Sequence, residues 1–293
     1  YPYFCTLHSL AYKCLRLESH EIMDELDYIE LGDMTGRKFV NKMKKGNGID
    51  FSMPTAQSQY QDTINLAYAK YPNDKDRLPK IFKEVKLSDY GARSTILQMD
   101  KDLTNFKRDR HKLEYVDYFN SFLECKNPPA LKYLFIDEAQ DLSAHQWMVV
   151  DMIQQISKPI ETYIAGDDDQ AIFRWAGADI EHFINMANDK NNTIIPLTQS
   201  YRVPKSVHNL ATKMAQSISN RIDKQYNPRD DEGERKVLFF RPLNKNLEKG
   251  EWLILCRTHE IVKQVCGALD RYGWLYKCYG KSVVNEKIIE AIL

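Results

Sequence analysis

The run LKYLFI (131–136) ends at two adjacent carboxylates, Asp137 and Glu138, in the segment DEAQD. A short apolar run of this length reads as a buried strand. Two similar runs, ETYIA (161–165) and TIIPL (193–197), follow it. Roughly 25–30 residues of helical pattern separate successive runs, which is the rhythm of a parallel α/β sheet. Open parallel sheets bind ligands beyond the C-terminal ends of their strands, so Asp137 and Glu138 are expected at that edge.

Each loop after these runs carries residues suited to phosphate chemistry. One carboxylate of the Asp137–Glu138 pair can hold Mg²⁺ while the other orients an attacking water. An ordinary acidic turn would look the same. The second loop, GDDDQAIFRWAGAD (166–179), places Gln170 where it can touch a terminal phosphate or that water. Phe173 and Trp175 suit stacking on unpaired bases, worth about 1–3 kcal/mol each, although aromatics more often fill cores. In LTQSYRVPKSVHNLA (197–211), Tyr201 can stack on adenine and Arg202 can neutralise charge on a transferred phosphoryl group, with Pro204 at a helix start. The alternative for that pair is a cap and a surface salt bridge.

The rest of the chain sets the frame. Apolar residues from Leu10 to Ile29 recur at helical intervals, residues 32–60 read as a loop with short helices, and helical patterns cover 57–71, 78–86 and 95–124. A helix is expected over Lys205–Ser219, then an exposed linker, RIDKQYNPRDDEGER (221–235). A second α/β unit would follow, with strands at KVLFF (236–240), WLILC (252–256) and LYKCY (275–279) and a helix at 259–272. In the 293 residues, 41 basic side chains balance 41 acidic ones, so no global positive field marks a nucleic-acid binder and any DNA site must be a local groove. The six cysteines form no C-x-x-C pair; they are expected as free, mostly buried thiols in a reducing cytoplasm. No run reaches the roughly 20 apolar residues of a membrane span. The chain begins with Tyr1 in what reads as mid-domain sequence, so an N-terminal portion is expected to be missing.

In this order and spacing, DEAQD, GDDDQAIFRWAGA and LTQSYR resemble three signature motifs of UvrD/Rep-type superfamily 1 DNA helicases. TLHSLAY (6–12) resembles that family's segment for contacting single-stranded DNA, and EWLILCRTHEIVKQVCGAL with YGK resembles the start of its second RecA-like domain. The resemblance implies a RecA-like parallel sheet of the P-loop NTPase type, with a helical insertion. It divides the chain into a first RecA-like domain (1–19 and 126–203), the insertion (20–125) and the opening of a second (204–293). It implies ATP and Mg²⁺ as ligands, with Asp137 holding the metal, Glu138 as base, Gln170 as γ-phosphate sensor, Tyr201 on adenine and Arg202 on the γ-phosphate. Thr6, His8, Phe173 and Trp175 would face DNA, with duplex junctions as partners and 3′ to 5′ movement.

Two departures qualify that picture. Where the family often has Trp-Arg-Gly-Ala, this chain has Trp175-Ala176-Gly177-Ala178, with Arg174 on the other side of the tryptophan. No run matches the phosphate-cradling G-x-x-x-x-G-K-[ST]; Gly280-Lys281-Ser282 has Leu275 where the first glycine belongs. Positioning by amides and lysine would be lost, so this polypeptide alone is expected to hydrolyse little or no ATP. The alternatives are a non-hydrolysing module that binds single-stranded DNA or a partner, and the helicase half of a helicase-nuclease.

Overall fold

Capping chemistry sets most of the helix boundaries. The computed structural model describes residues 3–40, 56–235, 251–278 and 281–282. Thr6 accepts the Ser9 N–H to start α1 (Leu7–Leu15), and Asp24 accepts two N–H groups to start α2 (Glu25–Thr35). The helices α3 (Ala56–Lys70), α4 (Arg77–Glu84), α5 (Tyr90–Arg110) and α6 (Tyr115–Cys125) follow. The pattern over 95–124 is thus two helices. His111 turns left-handed, and the Leu113 N–H donates to the Glu21 carbonyl at 2.7 Å, diverting the backbone from helical pairing. Lys107 secures the join: its ammonium lies 3.1 Å from Glu114 and 2.8 Å from Asp117, while the Tyr28 hydroxyl donates to Glu114.

The strand β1 (Tyr133–Ile136) pairs in parallel with β2 (Glu161–Ile164), in the register Leu134 to Thr162 and Ile136 to Ile164. Between them runs α7 (Ala144–Ser157), opened by a reciprocal cap between Ser143 and Gln146. Leu134 and Ile136 point into a core with Trp147, Val150, Ile153 and Phe183. The alternate residues Tyr133, Phe135 and Tyr163 face outward, with the Phe135 and Tyr163 rings stacked at 4.9 Å. A second core, built on Leu31, Ile64, Ile81, Ile96 and Met99, joins α2 to α5. Helix α6 packs into the first core through Tyr118, Phe119 and Phe122.

The helices α8 (Ile180–Asn188) and α9 (Lys205–Ala215) complete this part of the chain. Residues 193–197 are not a strand: Ile194, Ile195 and Leu197 are exposed, and Pro196 lacks the N–H that ladder pairing needs. The stretch 221–235 is not a free linker either. Asn227 exchanges backbone bonds with Thr198 and Ser200 at 2.8 Å, and Arg229 donates to Val203 at 3.0 Å, so it folds back along the preceding segment.

The described residues up to Glu234 form one compact unit and those from Arg235 onward belong to a second. The second contains α10 (His259–Arg271) and a minimal antiparallel pair, β3 (Lys277–Cys278) with β4 (Lys281–Ser282). Residues 252–256 are not a strand and leave Trp252, Leu253 and Leu255 exposed; the expected strand at 236–240 lies outside the described residues. All six cysteines are free, but only Cys266 and Cys278 are buried, because Cys5 precedes α1 and Cys125 ends α6 at the surface. Among the described residues, no helix is long and apolar enough to cross a membrane.

Two histidines in the first core give the fold a pH dependence. His145 is buried against Phe119, and the His8 ring lies 4.2 Å from the same phenyl ring. Burial, followed by the nearby His8 and Arg77, lowers the pKa of His145 to about 4; burial lowers that of His8 to about 4 as well. An unfolded histidine titrates near ~6.5, so this stabilisation is complete above that pH and is lost as pH falls towards 4. Urea unfolding should show stability dropping across that window by on the order of 2–3 kcal/mol per histidine, and His145→Phe should remove its share of the slope.

Candidate functional site

The ends of β1 and β2 stay in register beyond the strands themselves. Ala165 donates to the Ile136 carbonyl at 2.8 Å, and Ala139 donates to the Ala165 carbonyl at 2.9 Å. Asp137 and Glu138 therefore emerge beside the Gly166–Gln170 loop, both exposed. Glu138 holds a left-handed backbone, φ 52°, and its N–H donates to the Asp137 carboxylate at 3.0 Å. A non-glycine residue in that region costs on the order of 1–3 kcal/mol and is kept only where the surroundings enforce it.

Gln140 is one of those surroundings and is only 2 % exposed. Its Nε2 donates to Glu138 Oε2 at 2.7 Å, and its Oε1 accepts the Asp167 N–H at 3.0 Å. Asp167 Oδ2 in turn accepts from Gln170 Nε2 at 2.5 Å. The close approach requires a glycine: a Cβ on Gly166 would lie 2.7 Å from Gln140 Oε1 and 2.9 Å from a Phe183 ring carbon. Glu138 and Gln170 are thus joined through two intervening side chains.

The three aspartates of this loop are not a solvated acidic turn. Arg221 forms a two-pronged contact with Asp169 at 2.8 and 2.9 Å, and the Ile222 N–H donates to the buried Asp168 at 2.7 Å. Lys224 pairs with Asp167 at 2.9 Å, with Asp169 at 3.2 Å and with Asp168. The hydrogen bonds from Arg221 hold the Asp169 carboxyl below its ordinary range, with Lys224 adding to the effect and partial burial opposing it. Burial works against the Lys224 charge, yet its carboxylate partners raise its pKa overall. Asp141 is pushed up by burial and then by the charge of Glu138.

Beyond this cluster, the loop turns through Phe173 and Trp175, whose rings lie 6.4 Å apart. Trp175 is 76 % exposed, and Arg174 pairs with Glu181. Gly177, at φ 102°, lets α3 approach: a Cβ there would meet Ala69 at 2.9 Å. Tyr201 and Arg202 project from a turn in which Ser200 Oγ accepts the Arg202 and Val203 N–H groups, leaving Tyr201 85 % exposed. Among the described residues, neither makes a hydrogen bond to Asp137, Glu138 or Gln170, but both ride on the segment that 221–235 ties to the aspartate loop. Thr6 caps α1, and His8 packs on Tyr115 and Phe119 of α6. No ring contact among the described residues joins His8 to Phe173 or Trp175.

Sequence reasoning missed Gln140, Gly166, Arg221 and Lys224. Three consecutive aspartates imply counter-cations, but more than 50 residues separate Arg221 from Asp169 and no local period joins them. Replacing Arg221 with Ala should destabilise the chain by roughly 1–3 kcal/mol at neutral pH in denaturant titration. The depressed Asp169 pKa contributes stability above the unfolded value of ~3.9, and that contribution is lost as pH falls through the lower folded value; Arg221→Ala should shrink this acid-side loss.

The family model for the UvrD/REP helicase N-terminal domain matches residues 2–191. The ATP-dependent DNA helicase PcrA of Bacillus subtilis is 30% identical over 164 residues, 55% of this chain and 21% of that protein. PcrA of Leuconostoc citreum is 25% identical over 162 residues, again 55% of this chain and 21% of the relative. PcrA of Staphylococcus aureus strain Mu50 is 30% identical over 151 residues, 51% of this chain and 18% of the relative. The chain matches about a fifth of the length of these relatives. With its N-terminal two-thirds matching that domain model, this chain belongs to the UvrD/REP helicase family.

Proposed function

We propose that this chain is a portion of an ATP-dependent DNA helicase that moves along single-stranded DNA, 3′ to 5′, and opens duplex at junctions. The observation that carries the reading is the join between Glu138 and Gln170 at the ends of two adjacent parallel strands. A carboxylate that accepts a proton and an amide that senses a phosphate must keep a set separation, because phosphoryl transfer is catalysed mainly by positioning. The PcrA relatives are named as ATP-dependent DNA helicases, which supports ATP as the substrate.

In this reading the first domain is RecA-like and spans 1–19 and 126–203, with 20–125 inserted and 204–293 opening a second, in a cytoplasmic enzyme. Asp137 would hold Mg²⁺. The donor set fits: one exposed carboxylate at a strand end suits an ion that keeps several waters and takes its other ligands from phosphates. The bound ion would supply positive charge against the phosphate oxygens. Glu138 would orient water, Gln170 would donate its second amide hydrogen to the γ-phosphate while keeping its bond to Asp167, Tyr201 would stack on adenine, and Arg202 would meet transferred charge. Phe173 and Trp175 would stack on bases, with Thr6 and the neutral His8 bordering the strand.

The chain holds no G-x-x-x-x-G-K-[ST] run, so the chemistry requires a phosphate cradle from elsewhere. ATPase assays of this chain with and without single-stranded DNA, beside Glu138→Gln, should find no DNA-stimulated turnover. Turnover abolished by Glu138→Gln would overturn the claim that the chain is inactive alone. Fluorescence anisotropy with labelled single-stranded DNA should detect binding that weakens about tenfold in Trp175→Ala, the effect of one lost stacking contact. Binding indifferent to Trp175→Ala would remove that residue from the proposed DNA path.

A further inference from the structure

We infer that Gln140 is a positioning residue: its buried amide fixes the distance between Glu138 and the Gln170 loop, so that base and sensor move as one body. This rests on the roles proposed above for Glu138 and Gln170. The amide has one workable orientation. Its NH₂ faces the Glu138 carboxylate, which can only accept, and its oxygen faces the Asp167 N–H, which can only donate. Rotating it by half a turn would oppose oxygen to oxygen and N–H to N–H.

No other side chain serves both contacts. Asparagine is one methylene shorter, glutamate brings a second negative charge against Glu138, and methionine has the length but no donor. At 2 % exposure the amide is shielded from competing water, so each bond counts for more than it would at the surface. The relay continues from the Asp167 backbone to its own carboxylate and on to Gln170 Nε2, which makes the loop's conformation depend on the Gln140 contact. Gly166 belongs to the same device, since any Cβ there would displace Gln140 Oε1.

The test is amide hydrogen exchange and side-chain amide NMR on the full 293-residue chain. Gln140→Met should speed exchange of the Asp167 N–H about tenfold, the effect of losing one buried hydrogen bond, and should shift the Gln170 Nε2 resonances. The polarity-swapped double variant Gln140→Glu with Glu138→Gln rebuilds both contacts with the donor on the other side. It should return Asp167 exchange to within about twofold of the original, a rescue that generic packing would not give. Unchanged exchange in Gln140→Met, or a double variant as fast as Gln140→Met, overturns the proposal. Should Gln140→Met fail to fold, Gly166→Ala tests the same contact from the other side, and unchanged Asp167 exchange there also overturns it.

Titration with Mg²⁺ and a non-hydrolysable ATP analogue, which keeps the γ-phosphate that Gln170 is proposed to meet, separates this proposal from the reading on which it rests. In the original chain, Gln140 Nε2, which contacts Glu138, and Gln170 Nε2 should shift together. Nucleotide shifts elsewhere in the chain with Gln140 Nε2 and Gln170 Nε2 both unmoved overturn the nucleotide reading of the site, while the exchange data decide the Gln140 contact whether or not nucleotide binds.

Discussion

Parallel pairing of two four-residue strands organises the site. Two ladder bonds past the strand ends, through Ala165 and Ala139, carry the register into the loops that bear Asp137, Glu138 and Gln170. The pairing is possible because the alternate residues Leu134 and Ile136 are buried against α7 and α8, while Ser143 and Gln146 begin α7 immediately after DEAQD. A shift of one residue would turn Leu134 and Ile136 to the exposed face and break the core and the loop alignment together.

Charge is handled locally. Balanced totals of acid and base conceal a concentrated arrangement in which Asp167, Asp168 and Asp169 meet Arg221 and Lys224. Like charges at consecutive positions repel, and burying Asp168 without a partner would carry a large desolvation penalty. The returning segment removes that penalty. In doing so it binds the turn carrying Tyr201 and Arg202 to the loop carrying Gln170, so the two candidate nucleotide-facing turns share one support.

The aromatic residues divide by the same logic of partners. Trp147 is buried and stacks on His182, and His8 is packed between Tyr115 and Phe119. Trp175 and Tyr201 remain exposed on turns held from behind, Trp175 by the close contact of Gly177 with α3 and Tyr201 by the hydroxyl of Ser200. An exposed ring on a turn held by such contacts keeps its face available, which is the property that the proposed stacking needs.

By itself the sequence determined the local features. Short apolar runs marked β1 and β2, helical patterns over 57–71 and 259–272 marked α3 and α10, and the order and spacing of DEAQD, GDDDQAIFRWAGA and LTQSYR marked the family, because each signal lies within one short window. Only tertiary structure decided the rest. TIIPL and WLILC have strand-like composition but found no neighbouring strand among the described residues, since a strand exists only through a partner's N–H and C=O groups. The stretch 221–235 looks like a linker from its polarity, yet its cations lie against aspartates more than 50 residues earlier. Gln140 is one more polar residue after a strand until the fold brings Glu138 to one end of its amide and Asp167 to the other. Such contacts depend on separations in space that no periodicity along the chain encodes.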